Sequence, residues 1–496
     1  MKTDRLTEQQ SRVRWLAWVP VAAIALVASP GLIGEVRAQD GLLDLKFGRP
    51  GVFTPVGPKG SVVNFMRALP DGRILAIGQA TEDGDDTHAA LARYNADGSL
   101  DVTFGHDGVV KTHFGGSTES AEWFDVQADG KIVVLGNTLR GATNGTHHQA
   151  LARYHADGSL DASFGKGGRV ATNIPNADLF GAAVRVQPDG RLLVVGIAVT
   201  SYVPTSDGRE FTVARYNADG SPDATFGQGG LKRWFPHGSY ISPSGDSIAI
   251  QADGKIVAAT FGAENPATGA GVRLRVMRLN ADGSPDASFN HGTMTNVAML
   301  DSMVVLSSLA IQPDGKILVA AMAPPAAPGG DPQPDRADVR VTRLNADGTL
   351  DEPFAHEHGF LTVDVAFAGQ NRATALAVQA DGKILVALAV NSLETPQPVA
   401  ALLRYKPDGL VDFTFGNGGT VVASYTDPSR QPYASTPFAI ALQADGKILL
   451  GGTSVQPGAT SGATSGFSLL RFENRSAAPV EGVAAGKARG AGKTRK

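Results

Sequence analysis

Ala128-Asp129-Gly130-Lys131-Ile132-Val133 is one of seven copies of a phrase that decides how this chain folds. The phrase also reads Pro70-Asp71-Gly72-Arg73-Ile74-Leu75 and Pro188-Asp189-Gly190-Arg191-Leu192-Leu193. It returns at Asp253-Gly254, Asp314-Gly315, Asp381-Gly382 and Asp445-Gly446. Successive glycines stand 58, 60, 64, 61, 67 and 64 residues apart. Apolar residues alternate before each copy, as Val184 and Val186 or Ile440 and Leu442 do, and a period of two marks a strand. Asp-Gly supplies the positive φ angles of a two-residue hairpin turn. The apolar run that follows, such as Ile317-Leu318-Val319, is the returning strand.

A second phrase follows each hairpin. Its first full copy is Leu91-Ala92-Arg93-Tyr94-Asn95-Ala96-Asp97-Gly98-Ser99-Leu100-Asp101, ending at Phe104-Gly105. Later copies centre on Gly158, Gly220, Gly283, Gly348 and Gly409, and the last hairpin keeps only the opening. The phrase reads as a third strand and a longer turn, and Gly108-Val109-Val110-Lys111-Thr112 as a fourth strand. Four antiparallel strands per repeat cannot bury both faces of one sheet. Radial stacking of such sheets solves this and predicts an all-β, seven-bladed β-propeller. The 60 glycines among 496 residues suit many short strands joined by turns.

The two ends are out of phase. The arginine of strand three occurs seven times: Arg93, Arg153, Arg215, Arg278, Arg343, Arg404 and Arg471. The Asp and Phe of the following turn also occur seven times, from Asp44/Phe47 to Asp412/Phe415. The first Asp/Phe pair has no strand before it, and the last Arg has no turn after it. Residues 40–56 are therefore expected to supply the fourth strand of the last blade, with Arg471 near Asp44. Such pairing removes two exposed edges.

Lys2, Arg5, Arg12 and Arg14 precede an apolar run from Trp15 to Ala28, and Val36 and Ala38 fit a signal-peptidase site. Residues 1–38 are thus expected to be a cleaved signal peptide, 39–474 the propeller, and 475–496 a disordered basic tail. Export to the periplasm, cell surface or medium follows from that reading, with no membrane span once the signal is removed. An uncleaved anchor is the rival, weakened by Pro20, Pro30 and Gly31. The absence of cysteine excludes disulfides, thiolate metal sites and a Cys nucleophile. The whole chain carries a formal charge of −4, and loss of residues 1–38 leaves −6, which argues against nucleic acid as the main partner. A monomer is expected.

The two phrases, Arg-Tyr-Asn-Ala-Asp-Gly-Ser-Leu-Asp at 93–101 and Val-Gln-Ala-Asp-Gly-Lys-Ile at 126–132, resemble the delta-60 repeat family of bacterial exported proteins. That family is itself similar to NHL-type propellers. The resemblance covers roughly residues 40–474 and implies a propeller at the bacterial periplasm or surface. It implies no activity and no catalytic residues. Asn290 and Ala355 depart from the usual Gly after Phe, Glu352-Pro353 interrupts one copy, and Leu69 stands where other hairpins have Gln.

Site candidates are sparse. The Asn95, Asp97, Ser99 and Asp101 pattern has the alternating oxygens of a calcium loop, but turn-building alone explains it. No cofactor is expected, and calcium at these Asp-Gly turns is the lesser alternative. The recurring Arg and Gln read as structural, because every blade has them. Turns after strands one and three fall on one face and hardly vary. Turns after strands two and four fall on the other and vary widely. A ligand is therefore expected on the variable-loop face, with Asp83, Asp85, Asp86, His88, His147 and His148 as candidate binding residues. The sequence favours a non-catalytic module that binds a protein or surface polymer. The alternative is a lyase- or lactonase-like enzyme with a metal at the channel mouth. No His-Glu-x-x-His helix or Gly-x-Ser-x-Gly elbow supports catalysis.

Overall fold

The computed structural model describes residues 40–48, 51–56, 60–82, 87–116, 119–140, 146–200, 208–234, 248–262, 273–297, 305–323, 338–356, 359–363, 371–390, 398–425, 433–455 and 465–474. The expected signal peptide at 1–38, the expected basic tail at 475–496, and Asp83, Asp85 and Asp86 lie outside them. Among the described residues, 28 strands form seven four-stranded antiparallel sheets, a seven-bladed β-propeller. Blade one comprises Ser61–Ala68, Ile74–Thr81, Thr87–Tyr94 and Val109–Thr112 in that spatial order. Blades two to six repeat the order. No helix among the described residues is long and apolar enough to cross a membrane.

Each seam between blades is a buried apolar layer. Leu75, Ile77 and Leu91 of blade one pack with Phe124, Val134 and Tyr154 of blade two, all nearly inaccessible to solvent. The first strands of several blades carry a bulge at one position, as between Ala121 and Trp123. The opposing residue is a glycine there, and a Cβ on Gly136 would stand 2.3 Å from the Ser120 carbonyl oxygen.

The hairpin turn differs from the two-residue form expected from Asp-Gly. Gly72 has a positive φ, +86°, and Asp71 does not. The Gly72 N–H donates to the Leu69 carbonyl (2.9 Å) and the Leu69 N–H to the Arg73 carbonyl (2.7 Å). This is a type I turn closed by a left-handed glycine, a three-residue hairpin. Pro70 suits its second position, and the Asp71 carboxylate accepts the Arg73 N–H at 3.0 Å. The aspartate is there to cap, not to adopt positive φ.

The second phrase builds the ring's fastening. In blade one, Arg93 Nε donates to Asp101 at 2.7 Å, and the guanidinium lies 4.4 Å over the Phe104 ring. Its Nη1 donates to the Ala156 carbonyl of blade two. Gly158 of blade two, at φ +88°, then presses on Phe104, leaving a Cβ only 3.0 Å from the ring. Each arginine thus ties its own blade to the next. Burial alone would raise the Asp101 pKa. Hydrogen bonds from the Thr103 hydroxyl, the Thr103 N–H and Arg93 outweigh it and hold the carboxyl at about 2.

The ends close as expected. Val52–Thr54 pairs antiparallel with Phe467–Leu469 and completes blade seven. Arg471 contacts Asp44 through Nε (3.0 Å) and Nη2 (2.8 Å), covers Phe47, and reaches the Ala96 carbonyl of blade one. Asp40-Gly41 takes the place of the missing turn: the Gly416 N–H donates to the Asp40 carbonyl at 2.8 Å. Arg404 meets residues from both ends of the described propeller, Asp40 Oδ2 at 3.0 Å and Asn474 Oδ1 at 2.7 Å. Two of the departures noted in sequence keep the left-handed backbone of the glycine they replace. Asn290 and Ala355 adopt φ of 43° and 60°, close to the 57° of Gly105.

Candidate functional site

The two faces of the ring differ in how their charges are used. On the Asp-Gly face the same Arg-Asp pair recurs in every blade, with Nε to carboxylate distances of 2.6–3.0 Å. In the Asn95 turn, Asp97 accepts both the N–H and the hydroxyl of Ser99 (2.9 and 2.6 Å), and Asn95 donates to Ser99 at 3.0 Å. Those oxygens face their own turn. The Asp101 carboxylate faces Arg93.

The variable-loop face carries ionisable groups in combinations that differ from seam to seam. His88 begins the inward run of strand three in blade one and is half-buried. His113 follows strand four, directly opposite His88, one step beyond the Ala89–Thr112 pair. The two rings lie 4.2 Å apart at 62°. Glu119 opens strand one of blade two and is 2% exposed. Its Oε1 accepts the backbone N–H groups of Phe114, Gly115 and Gly116 at 2.7, 2.7 and 3.0 Å. Its Oε2 stands 3.4 Å from His113 Nδ1 and accepts no hydrogen bond. His88 Nδ1 is likewise buried without a hydrogen-bond partner. Among the described residues, this is the one group of three or more His, Asp or Glu whose ligand atoms converge, all within 4.8 Å.

His147 and His148 belong to the next seam. The His147 N–H donates to Asp178 of blade three at 2.7 Å, its ring packs 4.6 Å from Phe180, and its Nδ1 is 3.7 Å from Asp178. His148 Nε2 shares a hydrogen bond with Thr146 at 2.9 Å. In blade three, Glu210 occupies the position of His88 and pairs with Arg233. The expected histidines therefore lie at the expected face but divide between two seams. His113 and Glu119 were not among the sequence candidates. Their signal is only positional, since strand register must be known before His88 and His113 can be set opposite one another.

No curated protein matches the chain. Among solved structures, a protein of unknown function from Dyadobacter fermentans DSM 18053 is 12% identical over 71% of this chain and 94% of that one, with a TM-score of 0.40. An ulvan lyase of a polysaccharide lyase family is 13% identical over 84% and 95%, with a TM-score of 0.48. An α-L-arabinofuranosidase from Fusarium graminearum is 11% identical over 70% and 92%, with a TM-score of 0.43. At this level of likeness nothing of those proteins' activities carries over. Residues 69–104, 127–164, 187–226, 251–289 and 379–415 match a family described as "Domain of unknown function (DUF5122) beta-propeller". With five of its seven blades matching that description, the chain is a β-propeller repeat protein.

Proposed function

We propose that the protein is an exported, non-catalytic binding module that holds a protein or surface polymer on its variable-loop face. One observation carries the reading: the unequal use of charge on the two faces. The Asp-Gly face repeats one self-contained Arg-Asp pair seven times, so a ligand there would meet groups already engaged. The opposite face bears His88, His113, Glu119, His147 and Asp178, whose combinations differ from one seam to the next. Variable groups held on a rigid scaffold are the usual basis of recognition. A metal enzyme at the channel mouth would need ligands from several blades. The converging group among the described residues comes from two adjacent blades and sits in their seam.

The test is binding of purified protein to isolated bacterial envelope polymers and envelope proteins, measured for matched variants of the two faces. His147→Ala with His148→Ala should reduce binding, and Asp129→Ala on the Asp-Gly face should leave it intact. Loss with Asp129→Ala alone would place the contact on the repeat face and overturn the proposal.

A further inference from the structure

Glu119 does a structural task that needs only half of its carboxylate. It pairs with Thr138 two residues beyond the Ala121–Gly136 pair. Ser61 holds the same register position in blade one, opposite Ala80, and Ser435 holds it in blade seven, opposite Ser454. Both serines cap the chain arriving from the previous blade. Ser61 Oγ accepts the Val56 N–H at 3.2 Å, and Ser435 Oγ the Tyr425 N–H at 3.3 Å. Glu119 Oε1 does this same work on residues 114–116. A neutral hydroxyl suffices for it elsewhere in the ring. The second oxygen and the negative charge are therefore surplus to the fold. A charge buried without full pairing is costly.

The carboxylate has a ligand atom within 4.8 Å of both histidines, and its surplus oxygen stands 3.4 Å from His113 Nδ1. Lys111, two residues before His113, pairs with Glu82 at 2.5 Å rather than with Glu119. The combination does not recur at other described seams. The same three positions hold His148, Asn173 and Leu179 between blades two and three. They hold Val399, Ser424 and Ser435 between blades six and seven, and Gly466, Pro55 and Ser61 between blades seven and one. Histidine recurs at the first position as His148, but only His88 has a second histidine and a carboxylate beside it, and that combination calls for an explanation other than folding.

We propose that His88, His113 and Glu119 form a binding site for a divalent transition-metal ion of the zinc type. The donor set, two imidazoles and one carboxylate, is a common one for zinc. With bonds of about 2.0–2.1 Å, donors of a tetrahedral zinc site stand roughly 3.3 Å apart. His113 Nδ1 and Glu119 Oε2 already stand 3.4 Å apart. The remaining donor distances lie within 4.8 Å. His113 is 62% exposed, so the fourth coordination position opens to solvent and can take water or an anionic group of a ligand. The ion would tie the end of blade one to the start of blade two. The site stands whether or not the variable-loop face binds a partner.

The experiment is calorimetric titration of the full-length, metal-stripped protein with zinc chloride alone at neutral pH. Three substitutions are compared: Glu119→Ser, the residue at this position in blades one and seven; His113→Asn, the residue at this position before blade three; and His147→Ala, at the neighbouring seam. The expected result is saturable binding of one zinc per chain. Glu119→Ser and His113→Asn should weaken it by at least the ~10–100-fold that loss of even an outer-shell partner costs. His147→Ala should leave it unchanged. His113→Asn alters an exposed side chain and keeps the test valid should Glu119→Ser fold poorly. No saturable binding at micromolar zinc, or binding that His113→Asn leaves intact, overturns the proposal.

Discussion

Replacing Arg471 by alanine should open the ring at one known place. Arg471 holds Asp44 through two nitrogens, donates to the Ala96 carbonyl of blade one and covers Phe47 at 4.4 Å. Removing one partner of a buried ion pair costs about 3–5 kcal/mol. Lys447 remains on Asp44 Oδ2 at 2.8 Å and reduces that cost. Loss of the cation–π contact adds roughly 0.5–1 kcal/mol. The net expectation is about 3 kcal/mol, concentrated where Val52–Thr54 meets the end of the chain. The melting temperature is a blunt gauge of it. At ~2.1 cal/mol/K per residue, a domain spanning residues 40–474 has an unfolding entropy near ~0.9 kcal/mol/K, so Tm falls only about 3 °C. Amide hydrogen exchange reads the local opening directly. A change of about 3 kcal/mol accelerates exchange at Phe53 and Leu469 roughly 100-fold. Arg215→Ala is the matched control, because it breaks the same contacts to Asp223, Phe226 and the Ala281 carbonyl within continuous chain. It should leave exchange in Val52–Thr54 untouched. Equal acceleration of those amides in both variants would refute the idea that Arg471 secures the closure.

Acid should loosen the same fastenings. The carboxyls of Asp44 and Asp101 lie at about 2 against an ordinary 3.8: burial raises each, and hydrogen bonds outweigh it, chiefly from Lys447 for Asp44 and from Thr103 for Asp101. A depressed pKa contributes stability that is complete above pH 3.8 and is lost as pH falls toward 2. Discounted for partial solvation, each contributes about 1–2 kcal/mol, so denaturant unfolding of Asp101→Asn should show a shallower loss of stability across that window than the parent. Ala355→Gly should stabilise by about 1 kcal/mol, since Ala355 holds φ +60° where most blades have glycine. A lower urea midpoint for that variant would show that its backbone is unstrained.

The fold was legible because its instructions are repeated. Hairpin phrases count the blades, and the unpaired Asp44/Phe47 and Arg471 locate the closure. The turn type was not legible. Asp-Gly is compatible with two hairpin forms, and the choice rests on whether Asp71 adopts positive φ or caps Arg73. The face bearing His88, His147 and His148 followed from strand counting, but the grouping of their side chains did not. Glu119 sits at the start of a strand, where a charged residue reads as solvated. Only the register that aligns it with Ser61 and Ser435 reveals a buried position. His113 lies 25 residues from His88 in sequence and meets it only through the pairing of strands three and four.

The shared seventh blade also imposes an order in time. Asp44 and Arg471 are 427 residues apart. At a synthesis rate of about 5–20 residues per second, the first strand waits roughly 20–90 seconds for its partner. Blades one to six can assemble meanwhile from contiguous chain, each latching onto the next by its arginine. The early strand must stay unpaired throughout, its ladder groups exposed. Its brevity, three residues from Val52 to Thr54, limits what it can pair with by mistake during that interval.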